Sequence, residues 1–139
     1  MAPRWGLLAM ATVAAVGVLA CSKKWSASLT LRLSAPPSPE CARDAVLGKT
    51  PSVSKPATEP FAPFTLELQE DGGRWTVQSE LKGEAVLTAQ YTRYWPANPD
   101  SLRQAIAARF ERIQETLTSA CSAPPIPGSR PLTIFKRAA

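Results

Sequence analysis

Between Asn98 and Cys121 the apolar residues Leu102, Ile106, Phe110, Ile113 and Leu117 recur every three or four positions. Arg103, Gln104, Glu111, Arg112 and Glu115 fall between them. That spacing predicts one long amphipathic helix. Asn98 is placed to cap it, and Pro99 takes the first helical position, where a missing N–H costs nothing. About twenty-two residues at 1.5 Å each give a rod of roughly 33 Å. A one-sided stripe of that length needs a flat apolar partner of similar extent. In a chain of 139 residues, enough for one small domain, a sheet is the natural partner.

The rest of the sequence supplies strands. Trp25 to Ala35 alternates, with Trp25, Ala27, Leu29, Leu31 and Leu33 on one side and Ser26, Ser28, Thr30, Arg32 and Ser34 on the other. Pro36, Pro37 and Pro39 end it. Ser38-Pro39-Glu40 then reads as a helix start: an N-cap, a first-turn proline and an acid. That short helix should run to about Leu47, stop at Gly48 and turn Cys41, Ala42, Ala45 and Val46 inward. Residues 49–63 hold four prolines and read as a surface loop. Phe64 to Glu70 alternates again, with Phe64, Leu66 and Leu68 inward, and Asp71-Gly72-Gly73 makes a hairpin turn. Arg74 to Leu81 returns with Trp75, Val77 and Leu81 inward. After a turn at Lys82-Gly83, Glu84 to Thr92 brings Ala85, Leu87, Ala89 and Tyr91 to the same face. Arg93 to Pro99 is expected to end the sheet. Residues 122–131 read as a Pro-rich loop, and Leu132 to Phe135 as a short final strand or only a tail. The order β-α-β-β-β-α, with room for a last β, predicts an α+β fold: a small two-layer sandwich, a mainly antiparallel sheet with two helices on one face.

The N-terminus is of another kind. Arg4 is followed by the uncharged run Leu7–Ala20, and Cys21 comes at once. This is the layout of an export signal. Val18-Leu19-Ala20-Cys21 resembles the lipobox of bacterial lipoprotein precursors; the resemblance covers residues 1–21 alone. It implies a leader over residues 1–20, acylation of Cys21 and a short tether at 21–24 ahead of a domain at 25–139. It also implies localisation to the bacterial cell envelope, and Ser22 after the cysteine points to the outer membrane, facing the periplasm. Lys23 and Lys24 would then lie near lipid headgroups. Two other readings use the same residues: an uncleaved transmembrane anchor over Trp5–Cys21, at the short end of the spanning range, and a cleaved leader with release of the domain.

With Cys21 taken by lipid, Cys41 and Cys121 remain. An even pair in an exported chain predicts a disulfide. It would bring the start of the short helix to the end of the long one, so the two helices should lie side by side and roughly antiparallel.

Sixteen Lys and Arg against eleven Asp and Glu give a net charge of +5, and there is no histidine. The lack of histidine excludes His-based metal sites, Ser-His-Asp triads and Cys-His dyads. Neither a CxxC nor a phosphate-binding Gly-rich loop occurs, so no cofactor is expected. An exported chain without a groove-reading motif is not expected to bind nucleic acid. Glu67, Glu70, Glu80 and Glu84 flank turns or lie on wet faces, as solubilising residues do, though a pair of them would suit a small envelope hydrolase. Arg103, Arg109 and Arg112 could form a basic stripe toward anionic lipid or a polyanionic cell-wall polymer, but Glu111 and Glu115 interrupt it, so a solvated helix face is the favoured reading. The most suggestive cluster is Arg93-Tyr94-Trp95, where an arginine and two aromatics suit a sugar ring or a partner protein. The alternative is that Tyr94 and Trp95 cover the start of the long helix. Together these features favour a membrane-anchored accessory binding or structural module, not an enzyme, whose partners are the membrane and another envelope protein or the cell wall.

Overall fold

The computed structural model describes residues 23–51, 63–70, 72–81, 83–96 and 98–138. The leader, Cys21 and residues 52–62 of the expected Pro-rich loop lie outside them. The elements run β1 (Lys23–Leu33), α1 (Pro39–Val46), β2 (Phe64–Glu70), β3 (Gly73–Leu81), β4 (Ala85–Trp95), α2 (Pro99–Ser119) and β5 (Leu132–Arg137). The strands form one sheet in the order β2-β3-β4-β1-β5, antiparallel at every pairing. This is the α+β two-layer sandwich that the periodicity predicts.

Both helices start as their sequences dictate. Ser38 Oγ accepts from the Cys41 N–H at 3.2 Å, and Asn98 Oδ1 accepts from the Asp100 N–H at 3.0 Å. Each satisfies a backbone donor that has no partner inside its helix. The five apolar residues of the α2 stripe are all buried. They meet Ala27, Leu29, Leu31 and Leu33 of β1, Trp75 and Val77 of β3, and Ala85, Leu87, Ala89 and Tyr91 of β4 in a single core. Each large side chain so enclosed contributes about 1.5–3 kcal/mol. Cys41 and Cys121 are joined by a disulfide with a Cα–Cα distance of 5.7 Å. Further along, Arg109 Nη1 donates to the Val46 carbonyl at 2.8 Å. The end of α2 thus meets the start of α1, and its middle meets the end of α1. The helices run antiparallel on one face.

Several boundaries differ from expectation. β4 does not stop at Thr92 but continues to Trp95, because Arg93, Tyr94 and Trp95 pair with Trp25, Lys24 and Lys23 of β1. The C-terminal segment is a strand, not a tail, and extends through Lys136 and Arg137 opposite Ser26 and Trp25. Leu81, expected inward, is 40% exposed at the last position of its strand. The Pro-rich segment after α2 is held down. The Pro124 carbonyl accepts from Ser34 N–H at 2.8 Å, Ile126 N–H donates to the Arg32 carbonyl at 2.9 Å, and Ala123 is buried. Its backbone groups find partners at the end of β1, as they must where the chain is buried. At the β2–β3 hairpin Gly72 has φ +77°, and a Cβ at Gly73 would run into the Tyr91 ring. Both glycines are required by shape.

Candidate functional site

Period-two geometry sends neighbouring residues of a strand to opposite faces, and this divides the Arg93-Tyr94-Trp95 cluster. Arg93 and Trp95 turn to the helix side. The Arg93 guanidinium stands 4.9 Å from the Trp95 ring centroid and donates to the Tyr91 hydroxyl at 3.4 Å. Trp95 Nε1 donates to the Asn98 carbonyl at 3.3 Å. Trp95 therefore covers the start of α2, as the covering alternative expects. Tyr94 does not. It lies on the opposite face, 65% exposed, directly across from Lys24. The three residues do not share one face of the sheet.

Their neighbours matter more. The register places Lys23, Lys24 and Trp25 of β1 opposite Trp95, Tyr94 and Arg93, and Arg137 and Lys136 of β5 opposite Trp25 and Ser26. Gly73 and Arg74 of β3 face Arg93 and Thr92. One end of the sheet therefore gathers cations from four strands together with three aromatics. Trp25 stacks on Phe135 of β5, ring centroids 5.3 Å apart and 9° from parallel. A shallow depression of about 310 Å³ opens here, lined by Lys24, Arg74, Arg93 and Tyr94 beside Gly72 and Gly73. Lys23, Lys24, Arg74, Lys136 and Arg137 are exposed.

The carboxylates are spread out. Glu67 and Glu80 lie on the sheet face away from the helices, but Glu67 pairs with Thr76, four residues from Glu80. That separates them by about 13 Å along the strand. Glu84 accepts two bonds from Arg32, at 2.6 and 2.8 Å. These hydrogen bonds hold its carboxyl below the ordinary range, against an opposing desolvation and with a smaller contribution from the arginine's charge, and they raise Arg32 in turn.

Glu70 is the residue whose role differs most from a solubilising one. It takes the inward phase of Phe64, Leu66 and Leu68, where Oε1 accepts from Arg109 Nη2 at 2.7 Å and Oε2 from Trp75 Nε1 at 3.0 Å. Arg109 also sits 6.0 Å from the Trp75 ring. The two charges, about a quarter exposed, tie β2, β3 and α2 together. The inward phase of Glu70 on β2 was the sequence signal for this contact. Arg103 points elsewhere, over the Phe135 ring at 5.0 Å, so Arg103 and Arg109 do not line up as a basic stripe.

On the far side of α2 a groove of about 550 Å³ runs between that helix and β5. Ala27 and Phe135 form its floor, and Ile106, Ala107, Phe110 and Gln114 its wall. Among the described residues no group of His, Cys, Asp and Glu is placed to hold a metal ion, and no helix is long and apolar enough to cross a membrane. No family model matches the chain, nor does a curated protein or a solved structure.

Proposed function

We propose that this chain is an envelope lipoprotein, anchored by acylation of Cys21 and carrying an accessory binding or structural module on the outer membrane, facing the periplasm. The observation that carries the reading is Val18-Leu19-Ala20-Cys21 at the close of an uncharged run, immediately before the folded domain begins at Lys23. Two further facts support it. The Cys41–Cys121 disulfide suits an oxidising compartment and leaves Cys21 as the odd thiol. The diacyl group on the thiol and the third chain on the new amine that the lipobox resemblance implies would hold the domain firmly, since one chain binds a bilayer only marginally and two suffice.

A binding role is favoured over a hydrolase by how the carboxylates are used. Glu70 is engaged by Arg109 and Trp75, Glu84 is engaged by Arg32, and Glu67 is offset by four residues from Glu80 on the neighbouring strand. Metabolic labelling with an acyl probe tests the anchor: the wild type should carry the label and Cys21→Ser should lose it. Label that survives the substitution sinks the assignment. A mature mass that retains residues 1–20 would move the reading to an uncleaved membrane span. Crosslinking and pull-down of the lipidated protein from membranes then identifies the envelope protein or wall polymer it serves.

A further inference from the structure

We propose that the basic and aromatic end of the sheet is itself a membrane-contact face, which lays the ends of β1, β4 and β5 onto an anionic phospholipid bilayer. The inference rests on the anchoring reading and specifies what the anchored domain does next.

Ser22 alone separates Cys21 from β1. A trans chain advances at most about 3.6 Å per residue, so Cys21 is held within about 7 Å of Lys23. A lipid on that cysteine therefore does not merely tether the domain. It brings one particular end of the sheet to the headgroups, and the register says which side chains arrive with it. They are Lys23, Lys24, Arg74, Arg93, Lys136 and Arg137. Among the described residues the carboxylates at this end are Glu70, already bonded to Arg109, and Asp100 in the first turn of α2. Positive charge is in clear excess. At the opposite end of β1 the corresponding cation, Arg32, is neutralised by Glu84. The asymmetry is that of a surface meant to meet negative charge on one side only.

The aromatics are of the right kind. Tryptophan and tyrosine concentrate at the bilayer interface, where an apolar body and a polar tip can both be satisfied. Tyr94, 65% exposed beside Lys24, and the half-buried Trp25 and Trp95 occupy the last rows of the sheet. The depression lined by Lys24, Arg74 and Arg93, with Glu70 also in its lining, has room for a headgroup phosphate. Each Lys or Arg brought to an anionic surface strengthens attachment by about fivefold, an effect that salt screens.

The test uses the full chain as purified from membranes, placed in phosphatidylcholine vesicles with brominated acyl chains, with and without about 30% phosphatidylglycerol. The readout is quenching of tryptophan emission, since Trp25 and Trp95 lie in the contact rows. Quenching should be strong with phosphatidylglycerol, weak without it, and reduced by high salt. The triple variant K24E/K136E/R137E should fall to the level seen in neutral vesicles. R43E/R112E/R130E changes the net charge equally at exposed sites away from this end and should behave as wild type. Equal quenching in the two kinds of vesicle overturns the proposal, as does equal loss in both variants or an unquenched chain that still sediments with the vesicles. Circular dichroism of both variants excludes unfolding as the cause. The mass of the N-terminal peptide in the same sample judges the anchor separately. An unacylated Cys21 would end the anchoring reading, while the comparison of vesicles and variants still decides the contact face.

Discussion

On its α1 side the long helix is held by directional bonds, and on its β5 side by almost none. Toward α1, a disulfide fixes its end, and Arg109 reaches across to Val46 and Glu70. Toward β5 there is a groove, with Arg103 laid over Phe135 and the small Ala27 beneath. The same apolar stripe serves both flanks, so burial alone does not explain the difference. Five strands are wider than two helices can cover. The fold spends its specific contacts where the helices meet and leaves the outermost strand thinly covered. Position is set on one side, and the other keeps room.

Phe110 is where the contrast can be tested hardest, because it packs edge-on against Trp75, ring centroids 6.3 Å apart, and also lines the groove. Phe110→Ala should cost about 3–5 kcal/mol in urea melts. A loss below about 1 kcal/mol would mean that the helix is not seated on the sheet. Next comes the crosslink. Replacing Cys41 and Cys121 with serine should cost about 2–4.5 kcal/mol, the upper value being the chain-entropy figure for a loop of 80 residues. Should the double variant melt like the wild type, the α1 flank would owe its rigidity to packing instead.

Arg109→Ala removes the bonds to Glu70 and Val46 and should cost about 1–2 kcal/mol, reduced by the partial exposure of the pair. Arg103→Ala and Arg112→Ala, on the less constrained flank and on the exposed face, should stay within about 0.5 kcal/mol of wild type. If Arg103→Ala matched Arg109→Ala, the two flanks would be alike after all. The smallest effect expected is a pH dependence at the far end of the sheet. The Glu84 carboxyl is held low by Arg32 when folded, so the pair's contribution is complete above the unfolded carboxyl value. It fades as acid takes pH down through the folded one. Carbon NMR should show Glu84 titrating below ordinary glutamates and returning to the usual range in Arg32→Ala. An unchanged titration would separate the two groups.

Much of the fold was legible in the sequence, for identifiable reasons. The α2 stripe and the alternation in β1 through β4 are burial patterns, and burial is what sequence periodicity reports. The caps at Ser38 and Asn98 are local chemistry and could be read locally. What escaped depends on partners far away in sequence. Nothing in Arg93-Tyr94-Trp95 alone says that Lys23 to Trp25 will pair with it and prolong β4. Lys136 and Arg137 resemble a charged tail until β1 is beside them. Of the site, Trp95 over the helix start was legible, but the split of the cluster across two faces was hidden by the expected end of the strand. Glu70 resembles a surface acid because a charge beside a turn is ordinarily solvated, and the partner that explains its inward phase, Arg109, lies 39 residues on.

The position of β1 within the sheet sets a schedule for making the molecule. β1 is the first strand among the described residues yet lies between β4 and β5. Its earliest partner, Ala85, comes 52 residues after Leu33, and Arg137 pairs with Trp25 near the very end of the chain. Contacts so remote in sequence form late and slowly. During synthesis the N-terminal strand must wait with both hydrogen-bonding edges open, until first one neighbour and then the other has been made. Cys41 waits likewise for Cys121. The segment nearest Cys21 is thus the last to be closed over, and assembly cannot finish until the whole domain has emerged.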